Sequence, residues 1–218
     1  MITQFIYQHP SLAGLISFVI GLACMPIVIK IAKTKHFLVK PNKRTSHTGN
    51  IPNIGGLDIF ISFLLTYMAF EYNRLEEFQF LLIGIFIIFI IGFVDDILDL
   101  TPLSKLLGEV LAGVAMIGFS DIRITHLHGF CGITQLDPWL SYLLSFFVLL
   151  AIINALNLID GIDGLASGLG IIYSILFAVY FHLIGEPEWA LMACAMVGSL
   201  SVFFIYNVFG KRNKIFMG

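Results

Sequence analysis

Charged side chains are scarce in this chain. Asp, Glu, Lys and Arg make up 12% of its 218 residues, about half the share of an ordinary soluble domain, which excludes a soluble enzyme carrying a tail anchor. The net charge of −2 is too small to attract a polyanion, so no nucleic-acid partner is expected. The three cysteines, Cys24, Cys131 and Cys194, lie far apart and form no CxxC pair, which gives neither a disulfide framework nor a zinc site. No basic stretch precedes the first apolar run, and that run is as long as a true span, so no cleaved signal peptide is read. Repeats, low-complexity tracts and linkers are also missing, and a single transmembrane domain over residues 1–218 is expected.

What the chain has instead is apolar surface, at 58% hydrophobic residues and a mean hydropathy of +0.95. Seven runs approach membrane length: residues 12–32, 54–70, 78–94, 104–119, 139–156, 166–185 and 189–206. They are continuous rather than alternating, which rules out a β-barrel and predicts an all-α polytopic protein with the lipid bilayer as its first partner. Seven crossings place the connecting segments alternately on two sides. One side collects Lys33, Lys35, Lys40, Lys43, Arg44, Lys105, Lys211, Arg212 and Lys214, with Lys30 at the adjoining helix end, and the other holds only Arg74 and Arg123. The positive-inside rule makes the first side cytoplasmic, with the N-terminus out and the C-terminus in. On the outer side the longest segment, 120–138, has a pattern of Ile122, Ile124 and Gly129 to Gly132 that suggests a small hairpin.

Three cytoplasmic segments hold more than connecting residues. The first, KPNKRTSHTGNIPNIGG over residues 40–56, offers Lys40, Asn42, Arg44 and His47, with two glycines leading into a helix start. Charge and free backbone N–H groups of this kind suit a phosphate. The second, VDDILDLTPLSK over 94–105, sets Asp95, Asp96 and Asp99 at the end of the third span. One further helical turn there would bring the three carboxylates together, an arrangement tolerated when a divalent cation or a proton is shared. Thr101 and Pro102 read as the cap and first residue of the next helix.

The third segment, NALNLIDGIDGL over 154–165, is the most specific. Asn154, Asn157, Asp160 and Asp163 recur every third residue, and on an ideal helix each step of three turns back by about 60°, so the first and last would face opposite ways. Gly161 and Gly164 supply the freedom to end the helix and let the last carboxylate come from a loop. Amide and carboxylate oxygens are hard ligands suited to Mg²⁺. Two further acids, Asp58 and Glu109, lie about one turn inside the membrane, where snorkelling or pairing with loop cations would account for them.

With these residues in place the chain resembles the polyprenyl-phosphate N-acetylhexosamine-1-phosphate transferases, glycosyltransferase family 4, and most closely the WecA/TagO branch. The resemblance runs from KPNKRTSHTGNIPNIGG through DDILD and NALNLIDGIDGLASGLG to the closing KRNKIFMG. It implies transfer of a sugar 1-phosphate from a UDP-N-acetylhexosamine, GlcNAc being the expected sugar, to undecaprenyl phosphate at the cytoplasmic face of the inner membrane. The product UMP is released, Mg²⁺ is required, and a homodimer is compatible with it. Carried over by position, Asp95 and Asp96 resemble the catalytic DD pair, with Asp95 a candidate base for the lipid phosphate. Asn157 resembles a metal ligand, Asp160 and Asp163 resemble nucleotide and uracil contacts, and Lys40, Asn42, Arg44, His47, Asp99 and Asn154 are the remaining candidates for substrate binding.

Two other classes compete. A UbiA-like prenyltransferase also sets Asp-rich motifs and Mg²⁺ at a membrane face, but the Asn154/Asn157 pair and the glycine-flanked acids argue against it. A non-catalytic lipid-binding or transport remnant would be expected to carry ionisable groups near the bilayer midplane, whereas the polar groups here sit near one face. Family members continue beyond FMG with an Asp that completes the metal site, a His-rich loop and more spans, and this chain stops at Gly218. The expectation is therefore that the 218-residue chain alone releases little or no UMP from UDP-N-acetylglucosamine and undecaprenyl phosphate; detectable release by the purified chain would contradict it.

Overall fold

The computed structural model describes residues 7–39, 51–98, 100–210 and 214–217. Seven helices account for the seven apolar runs: α1 Ser11–Lys35, α2 Gly55–Phe70, α3 Leu75–Leu98, α4 Pro102–Gly113, α5 Pro138–Ile159, α6 Leu165–Ile184 and α7 Pro187–Phe204. Helix α4 continues through a wider π-type turn, Val114–Phe119, and α7 through another, Ile205–Phe209. Counted with those turns, six helices among the described residues are long and apolar enough to cross a membrane, and α2, at 16 residues, is shorter. The protein is an all-α polytopic membrane protein.

The chain divides into two compact units, one built from Met1–Asn73 and Ile159–Gly218 and the other from Arg74–Leu158. In the first unit α1, α2, α6 and α7 pack together, with a two-stranded antiparallel ladder pairing β1, Leu38–Val39, with β2, Ile51–Pro52. Helix α1 buries Ala13, Ser17, Gly21 and Met25 at a spacing of four, a largely small-residue stripe of the kind that lets helices meet where lipid supplies no hydrophobic drive. Its partner is α7. A Cβ on Gly198 would lie 2.1 Å from the Gly14 carbonyl oxygen and 2.8 Å from the Phe18 nitrogen, so the two backbones touch where only glycine fits. Phe63 and Tyr67 of α2 stack at 6.0 Å and are buried with Leu191, Val202 and Phe203 of α7.

The second unit packs α3 against α4, with the side chain of Met116 filling the space above Gly84 and that of Ile91 the space above Gly108. Thr101 caps α4 by accepting from the Ser104 N–H, and Pro102 takes the first helical position, as its sequence predicts. The segment before α5 does contain a hairpin, and its turn falls within Gly129 to Gly132 as expected, while its first strand begins after the two isoleucines. Strands β3, His126–Phe130, and β4, Ile133–Gln135, pair antiparallel around Cys131 and Gly132, both with positive φ. Ile122 and Ile124 stay outside it, because the backbone of Ile124 is engaged by α5: its N–H donates to Ser145 Oγ at 2.8 Å and its carbonyl accepts from Ser141 Oγ at 2.6 Å.

The two intramembrane acids are not snorkelling. Asp58 is fully buried, and among the described residues neither of its oxygens has a hydrogen-bond partner. Glu109 is 2% exposed and its partner is an amide, Asn154, rather than a loop cation.

The α1–α7 contact makes a prediction. Gly198→Val should destabilise the protein by about 1–3 kcal/mol or more through overpacking, read as a lower unfolding temperature in detergent. Gly92→Ala on α3, where a Cβ meets nothing within 4 Å, should leave that temperature unchanged. Equal effects of the two substitutions would contradict the packing described.

Candidate functional site

Within the unit Arg74–Leu158, α3 runs on to Leu98 and so carries Asp95 and Asp96 on its last turns. The added turn that the sequence requires is present. Asp95 ties the helix end to α4: Oδ1 accepts from the Leu100 N–H at 3.0 Å and Oδ2 accepts from Lys105 Nζ at 3.0 Å. One backbone donor and one cation thus fix the direction of this half-buried carboxylate. Lys105, counted above only among the cytoplasmic cations, is thereby part of this cluster. The signal for it was its position on the first turns of α4, ten residues after Asp95.

Helix α5 is continuous to Ile159, so Asn154 and Asn157 are separated by about 60° around the helix. Asn154 Nδ2 donates to Glu109 Oε2 at 2.7 Å and to the Leu150 carbonyl at 2.9 Å. Its amide nitrogen is thus taken up inside the unit, and only its oxygen is left for a ligand. Asn157 is exposed and has no side-chain hydrogen bond among the described residues.

In the other unit the helix has ended and the chain turns at Asp160 to Gly164. Hydrogen bonds from the Ile162 N–H to the Ile159 carbonyl and from the Leu165 N–H to the Ile162 carbonyl close the turn. Of the two glycines expected to bend the chain, Gly164 is the one with a left-handed backbone, at φ +72°; Gly161 does not have positive φ. Gly164 also lacks room for a side chain, since a Cβ there would lie 2.6 Å from Val208 Cγ2. Asp160 is half-buried without a hydrogen-bond partner among the described residues, and burial pushes its carboxyl up to about 7. Asp163 is exposed and pairs with Lys214 Nζ.

A residue from α7's π-type turn holds this loop in place. The Asn207 side chain is 4% exposed; Oδ1 accepts from the Gly164 N–H at 2.7 Å and Nδ2 donates to the Ile215 carbonyl at 2.9 Å. The segment Lys214 to Met217 then crosses to the start of α2. Phe216 N–H donates to the Pro52 carbonyl, and Gly55 and Gly56 N–H groups donate to the Phe216 and Met217 carbonyls, each at 2.8 Å. This corrects the backbone part of the phosphate reading of the first motif: the two glycine N–H groups are already bonded to protein carbonyls. Glycine is needed there for close approach, because a Cβ on Gly55 would lie 2.6 Å from the Phe216 oxygen. Lys40, Asn42, Arg44, His47 and Asp99 lie outside the described residues. Among the described residues no three His, Cys, Asp or Glu side chains converge as a metal cluster.

The family described as Glycosyl transferase family 4 matches residues 78–218. Similar proteins include an undecaprenyl-phosphate alpha-N-acetylglucosaminyl 1-phosphate transferase of Yersinia pestis, 27% identical over 92% of this chain and 56% of that protein. The protein of the same name from Escherichia coli K12 is 29% identical over 87% of this chain and 52% of its own length. A probable undecaprenyl-phosphate N-acetylglucosaminyl 1-phosphate transferase of Bacillus subtilis is 31% identical over 94% and 57%. The chain thus spans about half the length of the curated relatives it matches.

The burial of Asp160 has a measurable consequence. Its folded pKa is raised above the ordinary carboxylate value, so the ionised form costs stability in full above pH 7 and the cost fades as pH falls toward 4. In EDTA, Asp160→Asn should be more stable than the parent at pH 8 by on the order of 1 kcal/mol, with the gap closing at acid pH. A gap that widens on acidification would contradict the assignment.

Proposed function

The chain belongs to glycosyl transferase family 4, and from that premise we propose that its residues serve the transfer of N-acetylglucosamine 1-phosphate from UDP-N-acetylglucosamine to undecaprenyl phosphate, with release of UMP. The observation that carries the reading is the loop Asp160 to Gly164: a half-buried carboxylate with no hydrogen-bond partner among the described residues, beside a partly exposed Asp163–Lys214 pair, held by buried Asn207. The orientation with N-terminus out and C-terminus in, read from Lys and Arg placement, sets the reaction at the cytoplasmic face of the inner membrane.

Both substrates are phosphate anions, so the first task of the site is to offset charge while an oxygen of the lipid phosphate attacks the sugar-linked phosphorus in line. Asp95, held by Lys105 and the Leu100 N–H, would serve as the base toward the lipid phosphate. Asp96 is the second acid of the pair. Asp160 and Asp163 would take the nucleotide, Asp163 reading an N–H edge of the base, and Asn154 would offer its amide oxygen.

The donor chemistry fits a hard divalent cation such as Mg²⁺. Within the unit Arg74–Leu158, Asn157 would offer it an amide oxygen that has no side-chain hydrogen bond among the described residues. When bound, Mg²⁺ would supply charge stabilisation on the diphosphate. The relatives reported above are named for sugar-phosphate transfer, and nothing favours the prenyltransferase alternative.

The test is donor binding. The purified chain should bind UDP-N-acetylglucosamine more tightly with Mg²⁺ than with EDTA, and Asp160→Ala should weaken binding by about tenfold or more, measured by calorimetry. Binding of a prenyl diphosphate with Mg²⁺, and of no UDP-sugar, would overturn the proposal.

A further inference from the structure

We propose that Asn207 is a positioning residue for the nucleotide half of the donor, setting the separation of Asp163 and Lys214. This rests on the function proposed above and adds a residue to it. One buried amide joins two backbone segments, the Gly164 N–H on one side and the Ile215 carbonyl on the other. Each of those residues directly follows a charged one, Asp163 before Gly164 and Lys214 before Ile215, and the two charges pair with each other. Two covalent links, two hydrogen bonds and one ion pair therefore close a ring. Lys214 also lies 5.8 Å from the centre of the Phe216 ring.

The chemistry demands an amide. A carboxylate accepts but does not donate, a hydroxyl is too short, and an apolar side chain of the same size would leave a buried N–H and a buried carbonyl without partners. The location supports the same role. Asn207 sits in the π-type turn Ile205–Phe209, a local departure from the α-helix that is often found where a side chain must be aimed at a site. The Ile215 carbonyl it holds belongs to the segment that caps α2 through Phe216 and Met217, so a shift there is resisted by three more backbone hydrogen bonds. The ring is held from both ends, and an acceptor and a cation are presented together. That combination suits a nucleoside diphosphate, whose base offers an N–H and whose phosphates offer negative charge.

The experiment compares nucleotide binding by the full chain, reconstituted in nanodiscs with Mg²⁺, for the parent, Asn207→Ala and Lys214→Ala. For Asn207→Ala the dissociation constant for UDP-N-acetylglucosamine should rise about tenfold or more, and the preference for UDP over CDP should collapse to within about twofold. Binding of undecaprenyl phosphate should stay within about twofold of the parent. Where Asn207→Ala fails to fold, Lys214→Ala, whose side chain is partly exposed, should still weaken UDP binding and erode the same preference. Unchanged UDP affinity in a folded Asn207→Ala overturns the inference. So does an equal loss of donor and lipid binding with the base preference intact, since a purely structural residue would act that way. A parent chain that binds no uridine nucleotide overturns the proposed function itself, and the inference with it.

Discussion

Backbone polar groups near a bilayer must find partners inside the protein, and at the N-terminus of α2 this requirement shapes everything around it. The first N–H groups of a helix have no intrahelical acceptor. Here Gly55 and Gly56 are satisfied by the carbonyls of Phe216 and Met217, some 160 residues later in the chain, and glycine is required because the two backbones nearly touch. The segment that caps α2 is in turn fixed by Asn207, which also fixes the loop carrying Asp163. Helix capping and the architecture of the candidate nucleotide site are thus the same set of hydrogen bonds. A basic, glycine-rich segment leading into a helix looks like an anion cradle, and the structure gives that end of the helix to the protein's own chain.

Polar groups elsewhere follow the same economy. Asp95 has both oxygens occupied, by Leu100 and Lys105. Glu109, buried in α4, takes the Asn154 amide. On the other side of the span Arg123 donates to Ser141 Oγ at 3.0 Å, lies 4.8 Å above the Tyr142 ring and pairs with Asp121, whose carboxyl it holds below the usual range. Against this background an acid without a partner stands out. Among the described residues Asp160 is such a group at a helix end, and Asp58 is one within α2.

Much of the fold was legible in the residues, because a run of apolar side chains long enough to cross a bilayer has few other uses. Thr101 and Pro102 announced the start of α4, and Gly164 the end of the polar turn, since each has a local conformational reason. The apolar run alone stops at Val94, and the helix goes on through Asp95 and Asp96, the further turn that a grouping of these carboxylates would need. What was not legible depends on partners distant in sequence. Nothing near Gly55 says that Phe216 will cap it, and nothing near Glu109 says that Asn154 will be its donor. Asn207 carries no local motif; the signal was a lone amide in an otherwise apolar and aromatic stretch, FFIYNVF. The first strand of the hairpin begins later than Ile122 and Ile124 suggest, because the backbone of Ile124 docks on Ser141 and Ser145 instead.

The central claim is that the loop Asp160 to Gly164, backed by Lys214 to Met217, receives a uridine nucleotide. Amide hydrogen exchange of the chain with and without UDP-N-acetylglucosamine and Mg²⁺ tests it most directly. The account predicts slower exchange on binding at residues 160–165 and 214–217, with ADP-glucose giving none. Protection confined to other segments, or identical protection by both sugar nucleotides, would contradict it.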